Sequence, residues 1–477
     1  MLPQATRLLP ALFLVTAVAI LAGFPWPANF FLLAGVGTGL VTLRHPEFGL
    51  AALVLVIPVQ AAWEGTLGSI HLTLTKTVFI GLFMGWSVHL ALHRRAPRIT
   101  WLAVPYAAYV LIVLLSGTVA SQVGPWQIEF YHWLNGFAVY LIAIDALRRE
   151  RDARLSIVAT AIGIIWLSFY AFQQVLQHAG PPSFTVNGVA RAFGTFGQPN
   201  PFAGYLDVTV PLMVALAAAW VFGRPRLREN AFRSGWWVGL IAAAALLGLA
   251  ADGATQSRGG WVAMVVGVGL VVWLLGGLVR LAGTIVALLL VASVLASPLG
   301  GRIGARVTEG SFSAGTSTAV TPENFAVRER LAHWRTGIQM AVDHPWLGVG
   351  AGNFNANYRV STREWRFRIP RGHAHNAYIH AAAQTGVIGF AGYMVLNLAV
   401  AVRLRQRLHA TRGTSLRPLV VGAVGVCLAF AVHNAVDYLH VHNLPAQLGV
   451  ILAIAEIPMP GYAESPEADE PLRDTRN

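Results

Sequence analysis

The chain has 477 residues, of which 55% are hydrophobic and 12% charged, and its formal net charge is +13 at pH 7. Soluble domains carry about 25% charged residues, and long apolar runs such as "AMVVGVGLVVWLLGGL" leave no polar face for water, so the composition excludes a soluble protein with a very large core. The runs are continuous rather than alternating, which favours membrane-spanning helices over a β-barrel.

The apolar runs predict an all-α polytopic membrane protein. A span needs about 20 mostly apolar residues, which gives about 12–14 transmembrane helices here. The start of the chain could also be a cleavable signal peptide, but the count works best when it is kept as the first span. The predicted spans are 7–24, 28–43, 48–63, 73–92, 101–119, 131–147, 155–177, 200–222, 236–251, 259–279, 281–298, 376–402, 418–436 and 443–458.

Hydrophilic stretches divide the chain into four predicted regions. Residues 1–298 form an N-terminal transmembrane bundle, and 299–375 form one large extracytoplasmic loop that contains short helices. Residues 376–460 form the predicted C-terminal transmembrane helices, about three spans. The polar, acidic segment 461–477 is expected to be a disordered cytoplasmic tail.

Arginine distribution sets the orientation, because short cytoplasmic loops are enriched in cations. With the N-terminus in the cytoplasm, nearly all short-loop arginines fall on the inner side, which explains the basic charge without nucleic acid. The single cysteine, Cys427, excludes an internal disulfide and a thiolate metal cage. The predicted inner arginines are Arg44, Arg94, Arg95, Arg98, Arg148, Arg149, Arg151, Arg154, Arg224, Arg226, Arg228, Arg233, Arg280, Arg403, Arg405, Arg407, Arg412 and Arg417.

Arg191 and Arg258 are exceptions, because the alternation places both on the outer side. A cation retained there has either a structural partner, such as Asp252 for Arg258, or an anionic ligand. The planar, permanently charged guanidinium suits phosphate, and both residues lie near glycine-rich turns whose amides can approach an anion.

The long outer loop contains an amphipathic helix and an excess of arginine over acid. Val327, Leu331, Trp334, Ile338 and Ala341 recur at helical spacing, so this helix is expected to lie over the membrane or the mouth of the bundle. Three roles are open for the loop arginines. They provide general surface charge, contact anionic lipid headgroups, or form an electropositive lid for an anionic substrate. They are Arg302, Arg306, Arg328, Arg330, Arg335, Arg359, Arg363, Arg366, Arg368 and Arg371.

Four motifs follow one another in residues 185–395. They are "RAFGTFGQPNPFAGYL", "SRGGW", "RERLAHW" running into "DHPWLGVGAGNF", and "HNAYIHAAAQTG", in which His375 and Asn376 precede Gly386 by nine intervening residues. Together they resemble the O-antigen ligase and O-antigen polymerase superfamily. The first six spans match that family in hydropathy alone.

The resemblance implies a fold similar to GT-C glycosyltransferases that use lipid carriers. Such enzymes move a glycan from undecaprenyl pyrophosphate to an acceptor hydroxyl at the periplasmic face of the bacterial inner membrane, without a cofactor. In an O-antigen ligase, the reading we favour, the acceptor is the lipid A core. A polymerase would use another carrier-linked glycan, and a protein O-oligosaccharyltransferase would use Ser or Thr.

The chemistry assigns roles to individual residues. Neutral histidine can accept a proton near physiological pH, so His375 is the predicted catalytic residue, although it could merely cap a helix. Arg191, Arg258 and Arg330 would bind the pyrophosphate and stabilise its developing charge. Asn376 or a backbone carbonyl could fix the His375 tautomer. Asp437 is a second base, an arginine partner or a helix-end residue in water, and Arg328 and Arg371 are further candidates in the loop.

Three alternatives remain open from the sequence. "HAH" at 373–375 and "HVH" at 440–442 could form a four-histidine zinc site, although the resemblance implies metal-independent chemistry. A transporter or flippase of an anionic lipid-linked glycan would also need arginines in a polar cavity, but we find no repeat between the halves of the chain. A structural membrane protein would tolerate replacement of the candidate site residues.

Overall fold

The computed structural model describes residues 28–59, 64–67, 70–186, 188–222, 235–285, 325–362 and 367–459. The predicted span 7–24, most of 281–298, the loop segment 299–324 and the tail 461–477 lie outside these ranges. The described chain is mostly helical and has few strand residues, so the predicted all-α class is confirmed. Its strands are two short hairpins, β1 (Glu64–Leu67) with β2 (Ile70–Thr73) and β3 (Thr185–Val186) with β4 (Val189–Ala190).

Fifteen α-helices, numbered here in chain order, make up most of the described fold, and residues 277–285 are also helical. They are α1 (Ala28–Thr42), α2 (Pro46–Val56), α3 (Leu74–His93), α4 (Ala103–Leu115), α5 (Val123–Ala146), α6 (Glu150–Leu176), α7 (Pro199–Asp207), α8 (Val210–Phe222), α9 (Gly235–Thr255), α10 (Arg258–Leu275), α11 (Phe325–Asp343), α12 (Phe354–Ser361), α13 (Ala377–Ala410), α14 (Arg417–Asn434) and α15 (Leu444–Ala455).

Seven helical segments among the described residues are long and apolar enough to cross a membrane, which makes the protein a multi-pass membrane protein. Four shorter apolar helices, at Asn29–Thr42, Pro46–Val59, Ala103–Val119 and Leu444–Ala455, coincide with further predicted spans. The predicted total of 12–14 stays a prediction. The seven segments are Leu74–His93, Glu150–Leu176, Pro199–Phe222, Trp236–Thr255, Arg258–Leu275, Ala377–Ala410 and Arg417–Asn434.

Packing brings the motif-bearing helices together. α14 packs along α10 and α8, α15 packs against α5, and α11 lies across the first half of α13. Polar residues cap two of these helices at one end of the bundle: the Ser257 side chain accepts a hydrogen bond from Gly260 N at the start of α10, and Asn376 caps α13. These caps satisfy backbone amides that a helix N-terminus leaves unpaired.

The opposite end of the bundle collects arginines predicted to face the cytoplasm. Near the C-terminus of α13, Arg403 forms a two-pronged salt bridge with Glu456 at 2.6 Å, and Arg407 donates to the Ala455 carbonyl. Arg98 donates to the carbonyl of Glu456. Residues predicted to share the inner side are therefore in contact, as the alternation requires, while the assignment of that side to the cytoplasm stays a prediction.

α11 confirms the predicted helix of the outer loop, but only part of its apolar stripe packs against the protein. Val327 and Ile338 are exposed, whereas Ala332, His333 and Met340 are buried against α13 and α12. Part of the buried face is polar, and Nδ1 of the buried His333 is hydrogen-bonded to the Glu329 carbonyl at 2.7 Å. The helix lies over the mouth of the bundle, one of the two predicted positions.

Candidate active site

Asn376 positions the start of α13. Its side-chain oxygen accepts hydrogen bonds from the backbone nitrogens of Tyr378 and Ile379, which makes it the N-cap. Its amide nitrogen donates to the carbonyl of Ala435 at 2.8 Å and so ties α13 to the turn that follows α14. The expected role of Asn376 in setting the His375 tautomer is therefore wrong, because both ends of its amide are engaged with backbone.

Asp437 contacts His375 instead. His375 precedes the cap with a left-handed backbone (φ 51°), and its Nδ1 lies 3.2 Å from Asp437 Oδ1. A hydrogen on Nδ1 donates to the carboxylate, which leaves Nε2 with the lone pair that a proton acceptor needs. His375 is 18% exposed at its side chain, so the ring is accessible, whereas Asp437 is buried.

Three hydrogen bonds fix the Asp437 carboxylate, the first of them with His375. Oδ1 also accepts from Tyr438 N at 2.8 Å, and Oδ2 accepts from the Asn200 amide at 2.5 Å; His373 Nδ1 lies 3.8 Å away. Burial alone would raise the pKa of Asp437, but the His375 hydrogen bond and the neighbouring imidazoles outweigh it and hold that pKa below its usual range. Asp437 is thus a carboxylate partner of His375 rather than a second base.

Asn200 connects this pair to Arg191. The Arg191 guanidinium donates to Asn200 Oδ1 at 3.2 Å and to the Thr255 carbonyl at 2.8 Å. Burial lowers the pKa of Arg191, and the charges of Arg330 and Arg258 lower it further, while Asp437 opposes them. The three arginines predicted to bind pyrophosphate therefore lie within electrostatic range of one another.

Arg258 and Arg330 are placed as ligand-binding cations would be. Arg258 is exposed at the first position of α10, and Arg330 is half-buried on α11. Among the described residues, neither forms an ion pair, and the expected alternative of an Arg258–Asp252 salt bridge is not formed. Three guanidinium groups at one mouth, two of them without an acidic partner, form a site suited to a diphosphate.

The other loop candidates are less well placed. Arg371 is bound to Glu329 by a salt bridge of 2.9 Å. Arg328 lies two residues from Arg330, so the two side chains leave α11 on different sides. Trp334, which was not a candidate, donates its indole hydrogen to the His375 carbonyl at 3.1 Å and holds the His375 segment against α11.

The proposed zinc site is not formed by the two histidine pairs. Among the described residues, His373, His375 and Asp437 form the group whose ligand atoms are close enough to share a metal ion, within 4.8 Å of one another. His373 Nδ1 already accepts from the backbone nitrogen of His375 at 3.2 Å. His440 lies elsewhere, with Nε2 at 3.0 Å from the Tyr393 hydroxyl. Hydrogen bonds therefore already engage Nδ1 of His373, Nδ1 of His375 and the Asp437 carboxylate.

The burial of His373 predicts that the folded protein loses stability at acidic pH. Burial lowers its pKa to about 4; Asp437 opposes the shift, and His375, His333 and Arg330 add to it. The unfolded chain, with a histidine pKa of about 6.5, then binds more protons, so stability falls as pH drops through this window. We expect the melting temperature in detergent to fall between pH 7 and pH 4.5 and to fall less in His373→Gln. Equal pH slopes for the two proteins would contradict this.

The conformation and packing of Gly386 explain why the "HNAYIHAAAQTG" motif ends in glycine. It has a left-handed φ of 62° and breaks α13 at a kink. A Cβ at this position would lie 2.4 Å from the Trp346 carbonyl, because the turn that follows α11 packs directly on the kink. Val387 N donates to the Pro345 carbonyl at 2.7 Å across this contact. The glycine thus fixes the loop to the helix that begins at the site.

Gly386→Ala should lower the free energy of unfolding by about 1–3 kcal/mol through backbone strain, with the steric clash adding to it. Thermal unfolding in detergent measures the change. The matched control is Gly269→Ala within α10, where a Cβ meets no atom within 4 Å and alanine is favoured by up to about 1 kcal/mol. A Gly386 variant as stable as the control would contradict the packing described here.

The fold and the site define a polytopic α-helical membrane protein with a cationic, histidine-containing site at one end of its bundle. Residues 243–394, about a third of the chain, match a protein family described as O-Antigen ligase. This match agrees with the resemblance of the four motifs to the O-antigen ligase superfamily. The match includes Arg258, Arg330 and His375, and supports glycosyltransferase activity of the ligase or polymerase type on a lipid-linked glycan. No curated protein matches the chain.

Proposed function

We propose that the protein is an O-antigen ligase of the bacterial inner membrane. It transfers a glycan from undecaprenyl pyrophosphate to a hydroxyl of the lipid A core, at the periplasmic face. The observation that carries this proposal is the linked set of contacts His375–Asp437–Asn200–Arg191, with Arg258 and Arg330 beside it. A proton acceptor and a diphosphate-binding group are thereby adjacent.

The acceptor half of the reaction uses His375. With its Nδ1 hydrogen held by Asp437, Nε2 is free to take the proton of the attacking hydroxyl as the new C–O bond to the anomeric carbon forms. The buried carboxylate favours the imidazolium that results and keeps the ring oriented, as in other Asp–His pairs that activate a hydroxyl. Partial exposure of His375 leaves room for the acceptor.

The donor half uses the arginines. As the bond between the anomeric carbon and the pyrophosphate oxygen breaks, that bond's electron pair and a negative charge pass to the leaving group. Arg191, Arg258 and Arg330 stabilise this charge in a site partly removed from water, where such interactions lower a barrier by a few kcal/mol each. No cofactor or metal ion takes part in the proposed step.

Purified protein in detergent provides the direct test. It is incubated with a synthetic undecaprenyl-pyrophosphate glycan and lipopolysaccharide that lacks O-antigen, and the product is followed by gel shift and mass spectrometry. We expect glycan on the core oligosaccharide and release of undecaprenyl pyrophosphate, with no product when the acceptor is omitted. Detergent has no compartments, so transport cannot produce this signal.

Other outcomes assign a different function. Transfer to a second carrier-linked glycan would identify a polymerase, and transfer to a Ser- or Thr-containing peptide would identify a protein glycosyltransferase. Donor that stays intact in detergent yet crosses the bilayer of a proteoliposome would replace the enzyme by a transporter.

A further inference from the structure

A buried histidine–aspartate pair lies inside the bundle, apart from the groups proposed to touch substrate. His433 on α14 is 1% exposed and Asp207, the last residue of α7, is fully buried. His433 Nδ1 lies 2.6 Å from Asp207 Oδ2. Burying such a pair is costly, and apolar residues of similar volume are often at least as stabilising. Stability alone therefore does not explain this pair.

The pair contacts the acceptor half of the site through the backbone. The carbonyl of His433 accepts hydrogen bonds from Val436 N at 3.0 Å and from Asp437 N at 2.9 Å. The turn that carries Asp437, the partner of His375, is thus built directly on His433. A shift of the His433 backbone would therefore move the Asp437 carboxylate.

The same imidazole lies against the donor half. A Cβ on Gly259 would be 3.2 Å from His433 Nε2 and 3.0 Å from its Cδ2, so the glycine permits this close approach. Gly259 directly follows Arg258 in the first turn of α10. The preceding turn supplies the Thr255 carbonyl that binds Arg191. His433 therefore packs on the segment that places two of the arginines.

α7 completes the connection. Near its first residue, Asn200 hydrogen-bonds both Arg191 and Asp437, and at its last residue Asp207 holds His433. One end of this nine-residue helix is therefore bonded to both halves of the site, and its other end is bonded to His433. The Asp207–His433 bond fixes the helix against α14 and α10 together.

We propose that Asp207 and His433 are positioning residues, which hold the arginines of the donor half at a fixed distance from the His375–Asp437 pair. This inference rests on the proposed function of the site. A displacement of reacting groups by about 1 Å can cost about 100-fold in rate, so the pair affects turnover without touching either substrate.

Two isosteric substitutions separate positioning from packing. His433→Asn retains a side-chain NH close to the position of Nδ1 and can still donate to Asp207. His433→Leu introduces a side chain of about the same shape as that asparagine but without a hydrogen-bond donor. We expect kcat of the Asn variant to stay within about 3-fold of wild type and kcat of the Leu variant to fall by about 10- to 100-fold. Equal kcat values for the two variants would overturn the proposal.

The double variant Asp207→Leu/His433→Leu separates activity from stability. Removing one partner leaves a buried unpaired group, so the single Leu variant should melt at a lower temperature, and removal of both should restore the melting temperature. We expect kcat of the double variant to remain low. A double variant that regains the melting temperature and wild-type kcat together would show a merely structural pair.

The matched control is a salt bridge at the opposite end of the bundle. Arg403→Met/Glu456→Gln removes that pair and should leave kcat of the folded protein unchanged. Wild type that transfers no glycan would refute the proposed function and this inference with it. Wild type and double variant with equal kcat would refute the inference alone.

Discussion

His375→Ala should reduce kcat for glycan transfer by about 100- to 10,000-fold, the range for loss of a general base. The KM for the lipid-linked donor should change little, because the arginines that bind the diphosphate stay in place. Initial rates at saturating acceptor over a range of donor concentrations separate the two constants.

An exposed histidine in the same loop serves as the control for His375. His344 lies on the surface just after α11, and His344→Ala should transfer glycan at the wild-type rate. If His375→Ala retains more than about a tenth of wild-type kcat, the assignment of the proton acceptor is wrong, since the smallest contribution expected of a general base is about 100-fold.

Asp437→Asn tests how the imidazole is held. Asparagine keeps the shape of the carboxylate but can present an NH to His375 Nδ1, which favours the tautomer with the hydrogen on Nε2. The reaction then lacks its proton acceptor, so kcat should fall by at least about 10-fold, as seen for the equivalent change in a catalytic triad, where the loss reaches about 10,000-fold. The double variant with His375→Ala should be no slower than His375→Ala alone, because the two residues act as a unit.

Local signals were sufficient for most of the helices. The apolar runs placed α13, α14 and α15 within a few residues of their observed starts, because span length and hydropathy are properties of one segment. The arginine alternation also agrees with the structure, in which Arg98, Arg403 and Arg407 meet at the end of α15.

Contacts between distant segments of the chain could not be predicted from local sequence patterns. Asp437 is 62 residues from His375 and 237 from Asn200, so no local pattern linked them. Asn200 stood in a recognised motif, flanked by two prolines at a helix start, which was the available signal. The Asp207–His433 hydrogen bond joins residues 226 positions apart, and no local sequence pattern signals it.

Arg258→Gln should reduce kcat/KM for the donor by about 100- to 1,000-fold, the loss typical of removing one preorganised group that stabilises developing charge. Arg258 is exposed and without an ion-pair partner among the described residues, so its removal should leave the melting temperature unchanged. The substitution therefore reports on donor binding and the transition state rather than on folding.

Arg258→Lys tests why the residue is arginine. Lysine retains the positive charge but loses the planar fork that contacts two phosphate oxygens, so an intermediate kcat/KM is expected. Inhibition by added undecaprenyl pyrophosphate should weaken in the same order, wild type, Lys and Gln, because product and donor share the diphosphate.

Arg280 provides the comparison within the same part of the chain. It lies beyond the far end of α10, stacked on Trp273 at 4.2 Å from the ring centre, and Arg280→Gln removes the same charge away from the site. Its kcat/KM and product inhibition should equal those of wild type. If Arg258→Gln and Arg280→Gln behave alike, the net charge of the protein accounts for the effect and the diphosphate is bound elsewhere. If they differ as expected, the cations held at one mouth by α7, α10 and α11 are what binds the leaving group.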